Sequence, residues 1–309
     1  LVAFDSCDGL LDWFHTEAAA RVGPYGLEGG VDQLAGAEVA TSGRAAASGD
    51  SASSAPTSNS GSDGATSTTN TQEPGIGEPD LAWTDGTRLI TVVNGSLQVV
   101  DLDDAAVTAT VELDREGTGS TPIGLLVEGQ HAVVLQQGWA TVENSNDRSS
   151  GSDAIAEPYP AGRSQTRLTR IDLGTQPAVV GEVIVDGDYI DARMVDGVVR
   201  TVVRSAPAEL GWVYPSGNSE ASIRRAEEAN REVVTTSTLA DWLPSMTVTS
   251  GATTSERATA LDCASVTHPA QFGGVDVVAV VGGDLAAGAT QPLPSAAVVA
   301  GAGTVYASS

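Results

Sequence analysis

Short runs of alternating apolar and polar residues recur along the chain as three copies of one pattern. Each copy has an apolar run ending in Asp, at Leu97 to Asp101-Leu102, Leu168 to Asp172-Leu173 and Val280 to Asp284-Leu285. A second alternating run follows each, over 107–113, 178–185 and 295–300, and glycine-led strands open at Gly129, Gly197 and Gly303. Alternation of period two predicts half-buried strands, and a multi-strand pattern that recurs predicts a repeat architecture. The step from Gly86 to Gly129 is 43 residues, within the ~40–45 of a four-stranded unit. With the strands of a unit lettered A to D, glycine opens B and Asp-Leu closes C. The next Asp-to-Asp steps lengthen to 71 and 112 residues, and the surplus falls each time between B and C, in 139–166 and 206–274. Antiparallel neighbours alternate direction, so B–C and D–A connections leave at one end of the sheets. Both insertions are therefore expected on one face, the usual place for binding loops on a rigid scaffold.

The pattern begins to hold at Glu73, and Asn94-Gly95 between two alternating runs predicts a tight hairpin, which also accounts for the formal sequon Asn94-Gly95-Ser96. Ahead of it the period changes. The first ~25 residues predict a helix, capped by Asp5 or Ser6, with Leu10, Leu11, Phe14 and Ala18 on one face and a stop at Gly23-Pro24. From Gly29 to Thr71 the chain is Ser, Ala, Gly, Thr and Asp with little to bury, the composition of a flexible linker. The expected organisation is a helical segment over 1–28, a linker over 29–72 and an incomplete β-propeller over 73–309, with about two blades and part of a third. The pattern stops at Gly303–Ser309 where a B strand is due, so further blades are expected beyond. Within 206–274, Ile223, Ala226, Ala229 and Val233 predict the buried face of a second helix. Trp212, Tyr214 and Trp242 are the candidate anchors of a binding face, and Trp242 with Leu243 also reads as a packing pair.

Charge narrows the partners. Fifteen Arg, no Lys and 40 acidic residues give a net charge of −25, which repels nucleic acid and anionic membrane surfaces. No apolar run reaches the ~18 residues needed to cross a bilayer. Cys7 and Cys263 lack metal or redox spacing. They are either free thiols in a reducing compartment or one disulfide in an oxidising one; the disulfide is the preferred reading, and it would pin the N-terminal helix to the sheets.

Candidate chemistry is sparse. His15, His131 and His268 fit no zinc spacing, and no nucleophile elbow, phosphate loop or dinucleotide fingerprint occurs. No catalytic or cofactor-binding residue is assigned. Asp101, Asp103, Asp186 and Asp188 are the candidates for a calcium ion, a hard cation that takes clustered oxygens, against the ordinary use of Asp in turns.

The run Thr69-Asn70-Thr71-Gln72-Glu73-Pro74-Gly75-Ile76-Gly77-Glu78-Pro79-Asp80-Leu81 with Thr84-Asp85-Gly86 resembles the start of a bacterial secreted β-propeller-domain family, distantly similar to WD-40 propellers. Phe4-Asp5-Ser6-Cys7, Val22-Gly23-Pro24-Tyr25-Gly26, Asn230 and Trp242-Leu243-Pro244 add to the match. The chain departs from the family at Gly77, where Asp is usual, and at Trp83, where Lys is. The resemblance implies export to the cell envelope and carries over no catalytic residue. Two functions are expected: a non-catalytic extracytoplasmic module binding a protein or envelope ligand, or a propeller enzyme (hydrolase, lyase or quinone-linked oxidoreductase) whose site the later blades complete.

Overall fold

The computed structural model describes residues 1–27, 76–113, 119–141, 162–207, 210–255, 258–284 and 296–301, and among the described residues strands form three sheets accompanied by two α-helices. The stretch read as a linker and residues 142–161 of the first insertion lie outside the described residues.

The chain opens with strand β1 (Val2–Ala3) and helix α1 (Cys7–Ala19). Ser6 caps the helix by accepting from the Gly9 N–H at 3.0 Å, which relieves one of the orphan donors of the first turn. Leu10, Phe14 and Ala18 are buried and Leu11 is half-buried. The helix ends at Ala19, short of Gly23-Pro24, and residues 23–26 form a separate turn closed by two backbone hydrogen bonds between Gly23 and Gly26.

The first sheet is β2 (Ala82–Thr84), β3 (Arg88–Val93), β4 (Ser96–Asp101) and β5 (Ala106–Glu112), paired in chain order. Asn94 and Gly95 both have positive φ, 50° and 78°, as the tight hairpin requires. The second sheet carries β6 (Thr121–Glu128), β7 (His131–Thr141), β8 (Gly162–Asp172) and β9 (Ala178–Asp186) in the same order. The third begins with β10 (Asp188–Val195) and β11 (Val198–Ser205). The chain then leaves for α2 (Glu220–Thr236), β12 (Ser245–Ser250), β13 (Thr253–Thr254), β14 (Ala258–Thr259) and β15 (Val266–His268). It returns as β16 (Val277–Asp284) and β17 (Ala296–Val299). The third unit, counted only in part from the sequence, therefore has all four strands, β10-β11-β16-β17.

The repeat has a local cause. β4, β8 and β16 all end on the repeated Asp. Asp101 accepts from the N–H groups of Asp103 and Asp104, and Asp172 from that of Gly174, so each carboxylate shapes the C–D turn. The following Leu sends its N–H back to the residue after the glycine: Leu102 to Thr87 O at 2.9 Å, Leu173 to Gln130 O at 2.8 Å. Gly86, Gly129 and Gly197 have φ of 88°, 60° and 73°, a region glycine enters without a Cβ clash. At the first of these turns burial pushes the Asp85 carboxyl up, yet hydrogen bonds from the Arg88 N–H and from Thr87 outweigh it and hold it well below the usual range.

Apolar residues close the sheets on one another. Ile90, Leu97 and Val111 meet Val127, Val134 and Ile171 between the first and second sheets. Leu126, Leu135 and Leu168 meet Ala192, Met194 and Val199 between the second and third. A third cluster joins Val203, Val277, Ala279 and Val299 to α1, α2 and Trp242. Phe14 and Trp242 stack within it at 4.6 Å.

The insertion over 206–274 is part of this frame. β12 pairs with β9 and extends the second sheet, while β15 joins β17 and β1 at the edge of the third. The fully buried residues of α2 are Ser222, Ala226, Asn230 and Val234; of the four that apolar periodicity predicts, Ala226 is among them and Ile223, Ala229 and Val233 are half-buried on its flanks. Asn230, a polar residue that apolar periodicity does not place inside, is interior through its hydrogen bonds. Cys7 and Cys263 form a disulfide that ties the start of α1 to the insertion.

One irregular segment crosses all three units. Gly77 exchanges both backbone hydrogen bonds with Met194 on β10, at 2.7 and 2.9 Å, and Asp80 does so with Leu125 on β6, at 3.2 and 2.6 Å, before the chain becomes β2. It covers the edges of β6 and β10, which would otherwise show unpaired backbone groups. A Cβ at Gly77 would lie 3.2 Å from Met194 Cε, and one at Gly124 would lie 2.6 Å from Pro79 Cβ, so the crossing is close on both strands.

Candidate functional site

B–C and D–A connections do share an end, and a groove of about 160 Å³ opens there between the second and third sheets. Trp139 near the end of β7, with Gly162, Arg163 and Ser164 at the start of β8, forms one wall. The β9–β10 crossing (Asp186, Gly187, Asp188) and the end of β11 (Arg204, Ser205) form the floor, and residues 240–244 of the insertion form the other wall.

The floor is held by hydrogen bonds between the sheets. Gln137 accepts from the Tyr189 N–H at 2.8 Å and donates to Ser164 Oγ at 2.6 Å and Gln165 O at 3.0 Å. The Gly187 N–H donates to Ser164 O, and Gly187 O accepts from Thr166 Oγ1. Gly187 has φ 133°, and a Cβ there would lie 2.8 Å from Arg204 O; only glycine lets the chain cross so near β11.

Two of the three carboxylates in the groove face guanidinium groups. Arg163 Nε lies 3.2 Å from Asp186 Oδ1, which also accepts from Gln165 Nε2 at 3.0 Å. Both side chains are largely buried, the setting in which loss of one partner strands the other. Arg204 and Asp188 lie 3.6 Å apart at the open end. Asp241 accepts from the N–H and hydroxyl of Thr238 through Oδ2 and caps the short turn that carries Trp242. Above them Trp139 is 63% exposed. It sits against Gly162, where a Cβ would fall inside the indole, so the missing side chain makes the ring's seat.

The sequence-derived candidates separate on this frame. Among the proposed anchors, Trp242 lines the groove but is only 1% exposed, with its Nε1 donating to Ser237 Oγ at 2.7 Å; it is a packing residue, and its exclusion from solvent corrects its reading as a surface anchor. Trp212 is half-buried against Gly26, and Tyr214 is exposed; neither lines the groove. Asp101 and Asp103 belong to a turn, while Asp186 and Asp188 face arginines. Among the described residues no three His, Cys, Asp or Glu side chains converge as a metal site would require. His15 meets Ser237, and His268 lies among Phe4 and Trp13. Trp139, Arg163 and Arg204 were not singled out from the sequence, because they come together only across strand pairing. The one trace of them is a glycine opening β8 opposite a tryptophan-bearing strand.

Next to the floor, burial and then the Asp191 carboxylate push the Tyr189 phenol up to about 12. A raised folded-state value means that its contribution to stability is complete below the ordinary tyrosine range near 10 and is lost as pH rises toward about 12. The urea midpoint should therefore fall more steeply from pH 9.5 to 11.5 in the native chain than in Tyr189→Phe; parallel slopes would contradict it.

Compared with known proteins, residues 66–309 match a family model described as "Beta propeller domain". No curated protein and no solved structure gives a significant match.

Proposed function

Because the chain belongs to the beta propeller domain family, we propose that it is a non-catalytic binding module whose contact surface is the end bearing both insertions and the groove. One observation carries this reading: the strand ends that flank the first long connection, and residues 240–244 of the second, line a groove with an exposed tryptophan at its mouth. Long connections on a rigid scaffold are where binding surfaces are built. Polar groups in the groove are engaged in holding strands together, which suits recognition better than proton transfer.

We further propose an extracytoplasmic place of action at a bacterial cell envelope. The Cys7–Cys263 disulfide supports it, since such bridges persist in oxidising compartments. Among the described residues no helix is long and apolar enough to cross a membrane.

The reading is tested by capture of envelope components on immobilised protein, with substitutions at opposite ends of the sheets. Arg204→Glu with Trp139→Ala at the groove should remove most of the captured material. Asp103→Lys with Asp104→Lys, in the C–D turn at the other end, should leave it unchanged. The opposite ranking would reject the proposed face.

A further inference from the structure

The groove combines features that point to one class of ligand. Trp139 is the most exposed aromatic side chain among the described residues, at 63%. It is nevertheless seated, because its indole lies where a Gly162 side chain would be, on the strand paired residue for residue with its own. An aromatic ring left in water forfeits the burial that would stabilise it in a core. A ring held in place and still exposed is organised to receive something flat and apolar on one face.

Beneath it the chemistry changes to alternating donors and acceptors. Arg163 with Asp186 and Arg204 with Asp188 set guanidinium N–H groups beside carboxylate oxygens, with Ser164 and Ser205 between them. A guanidinium has five N–H donors and a carboxylate about four lone-pair positions, so the single Arg204–Asp188 contact at the open end leaves capacity for a ligand. Each cation is matched by an anion, so these pairs offer little net field to a charged ligand, and the third carboxylate of the lining, Asp241, is taken up by the N–H and hydroxyl of Thr238. A basic side chain stacked on Trp139 would meet Arg163 and Arg204, and an acidic one would meet Asp186 and Asp188. A neutral ring with an apolar C–H face and a rim of hydroxyl groups satisfies both the indole and the paired charges. The volume of about 160 Å³ is below the ~300–1,000 Å³ typical of drug-sized ligands and suits one ring-sized unit.

We propose that this groove binds a neutral saccharide unit of a glycan, with its C–H face on Trp139 and its hydroxyls on the Arg204–Asp188 pair. The inference rests on the insertion-bearing end being the binding face, and it names the ligand class there.

The test presents the intact disulfide-bonded chain to an array of neutral oligosaccharides and follows any binder by tryptophan fluorescence titration. At least one oligosaccharide should bind. Trp139→Ala should raise its Kd by about tenfold or more, Trp139→Phe should retain most of the affinity, and Trp13→Phe, outside the groove, should have no effect. Gly162→Val keeps the indole but removes its seat, and it should weaken binding as Trp139→Ala does, with circular dichroism confirming that each variant is folded. Binding to no member of the array, or binding indifferent to Trp139→Ala, overturns the saccharide assignment. If capture of envelope proteins in the preceding experiment still depends on the groove end, only the ligand class has failed. If capture depends on the opposite end, the face itself has failed.

Discussion

Opening the Cys7–Cys263 bridge should cost the fold about 3–5 kcal/mol, the largest effect expected from any single covalent change. The two cysteines are 256 residues apart, and the entropic restriction of an unfolded chain grows with the loop closed, reaching on the order of 5 kcal/mol for loops this long. The native contacts at the junction do not replace it. β1 pairs with β15 at only two positions, and an isolated helix as short as α1 is marginal in water. What keeps α1 docked besides the bridge is the burial of Leu10, Phe14 and Ala18 against Trp242, Val277 and their neighbours. The measurement is urea unfolding of the oxidised chain, the reduced chain and Cys7→Ser with Cys263→Ser. Both altered forms should unfold at lower urea, with amide exchange over 8–19 the first to accelerate. Equal midpoints in all three would refute the role assigned to the bridge.

The second large effect is expected at Asn230. It is fully buried on α2, where its Oδ1 accepts from the Val213 N–H at 2.6 Å and its Nδ2 donates to Val213 O and Gly23 O, each at 3.0 Å. One side chain thus joins the helix, the extended run beside it and the turn after α1. Asn230→Leu keeps the approximate volume and leaves three backbone groups without these partners. At about 1–3 kcal/mol for each unmet buried group, with partial relaxation, the loss should be about 3–5 kcal/mol. Ile223→Ala, on the half-buried flank of the same helix, should cost about 1 kcal/mol or less. If the two variants lose comparable stability in chemical denaturation, the hydrogen-bonded junction is not what fixes α2.

That contrast shows how far the sequence could be read. Strand period, the Asn94-Gly95 hairpin and the Asp-Leu recurrence were legible because each has a local cause, a pleat, a positive φ or an Asp-shaped turn. That the B–C and D–A strand ends share one end of the sheets followed from strand parity alone. Periodicity places Ala226 inside α2 correctly and Ile223, Ala229 and Val233 only at its flanks; it misses Asn230, which is interior through three hydrogen bonds that depend on residues outside the helix. The groove was less legible still. Arg163 and Asp186 are on neighbouring strands of one sheet, Arg204 is on another, and the wall at 240–244 comes from the insertion. The peripheral motifs of the family resemblance prove more coherent than their spacing suggests. Cys7, Gly23, Gly26, Asn230 and Trp242 all meet where α1, α2 and the third sheet join, so they specify assembly and not chemistry.

The crossing segment at residues 77–80 adds a constraint in time. It is made before the strands it joins: its partner Leu125 follows 45 residues after Asp80, and Met194 follows 117 residues after Gly77. Contacts between residues so distant in sequence slow folding, because the intervening chain must be brought together before they form. The first sheet is contiguous over 82–112 and can pair its own strands as soon as they are made. The segment just ahead of it can pair with β6 through Asp80 once residue 125 is made, but Gly77 must wait for Met194 on β10 before the third unit is fastened. A chain interrupted before residue 194 would therefore hold its first two units, joined by Asp80 to Leu125 and by their shared core, with the third still unfastened to them by this segment.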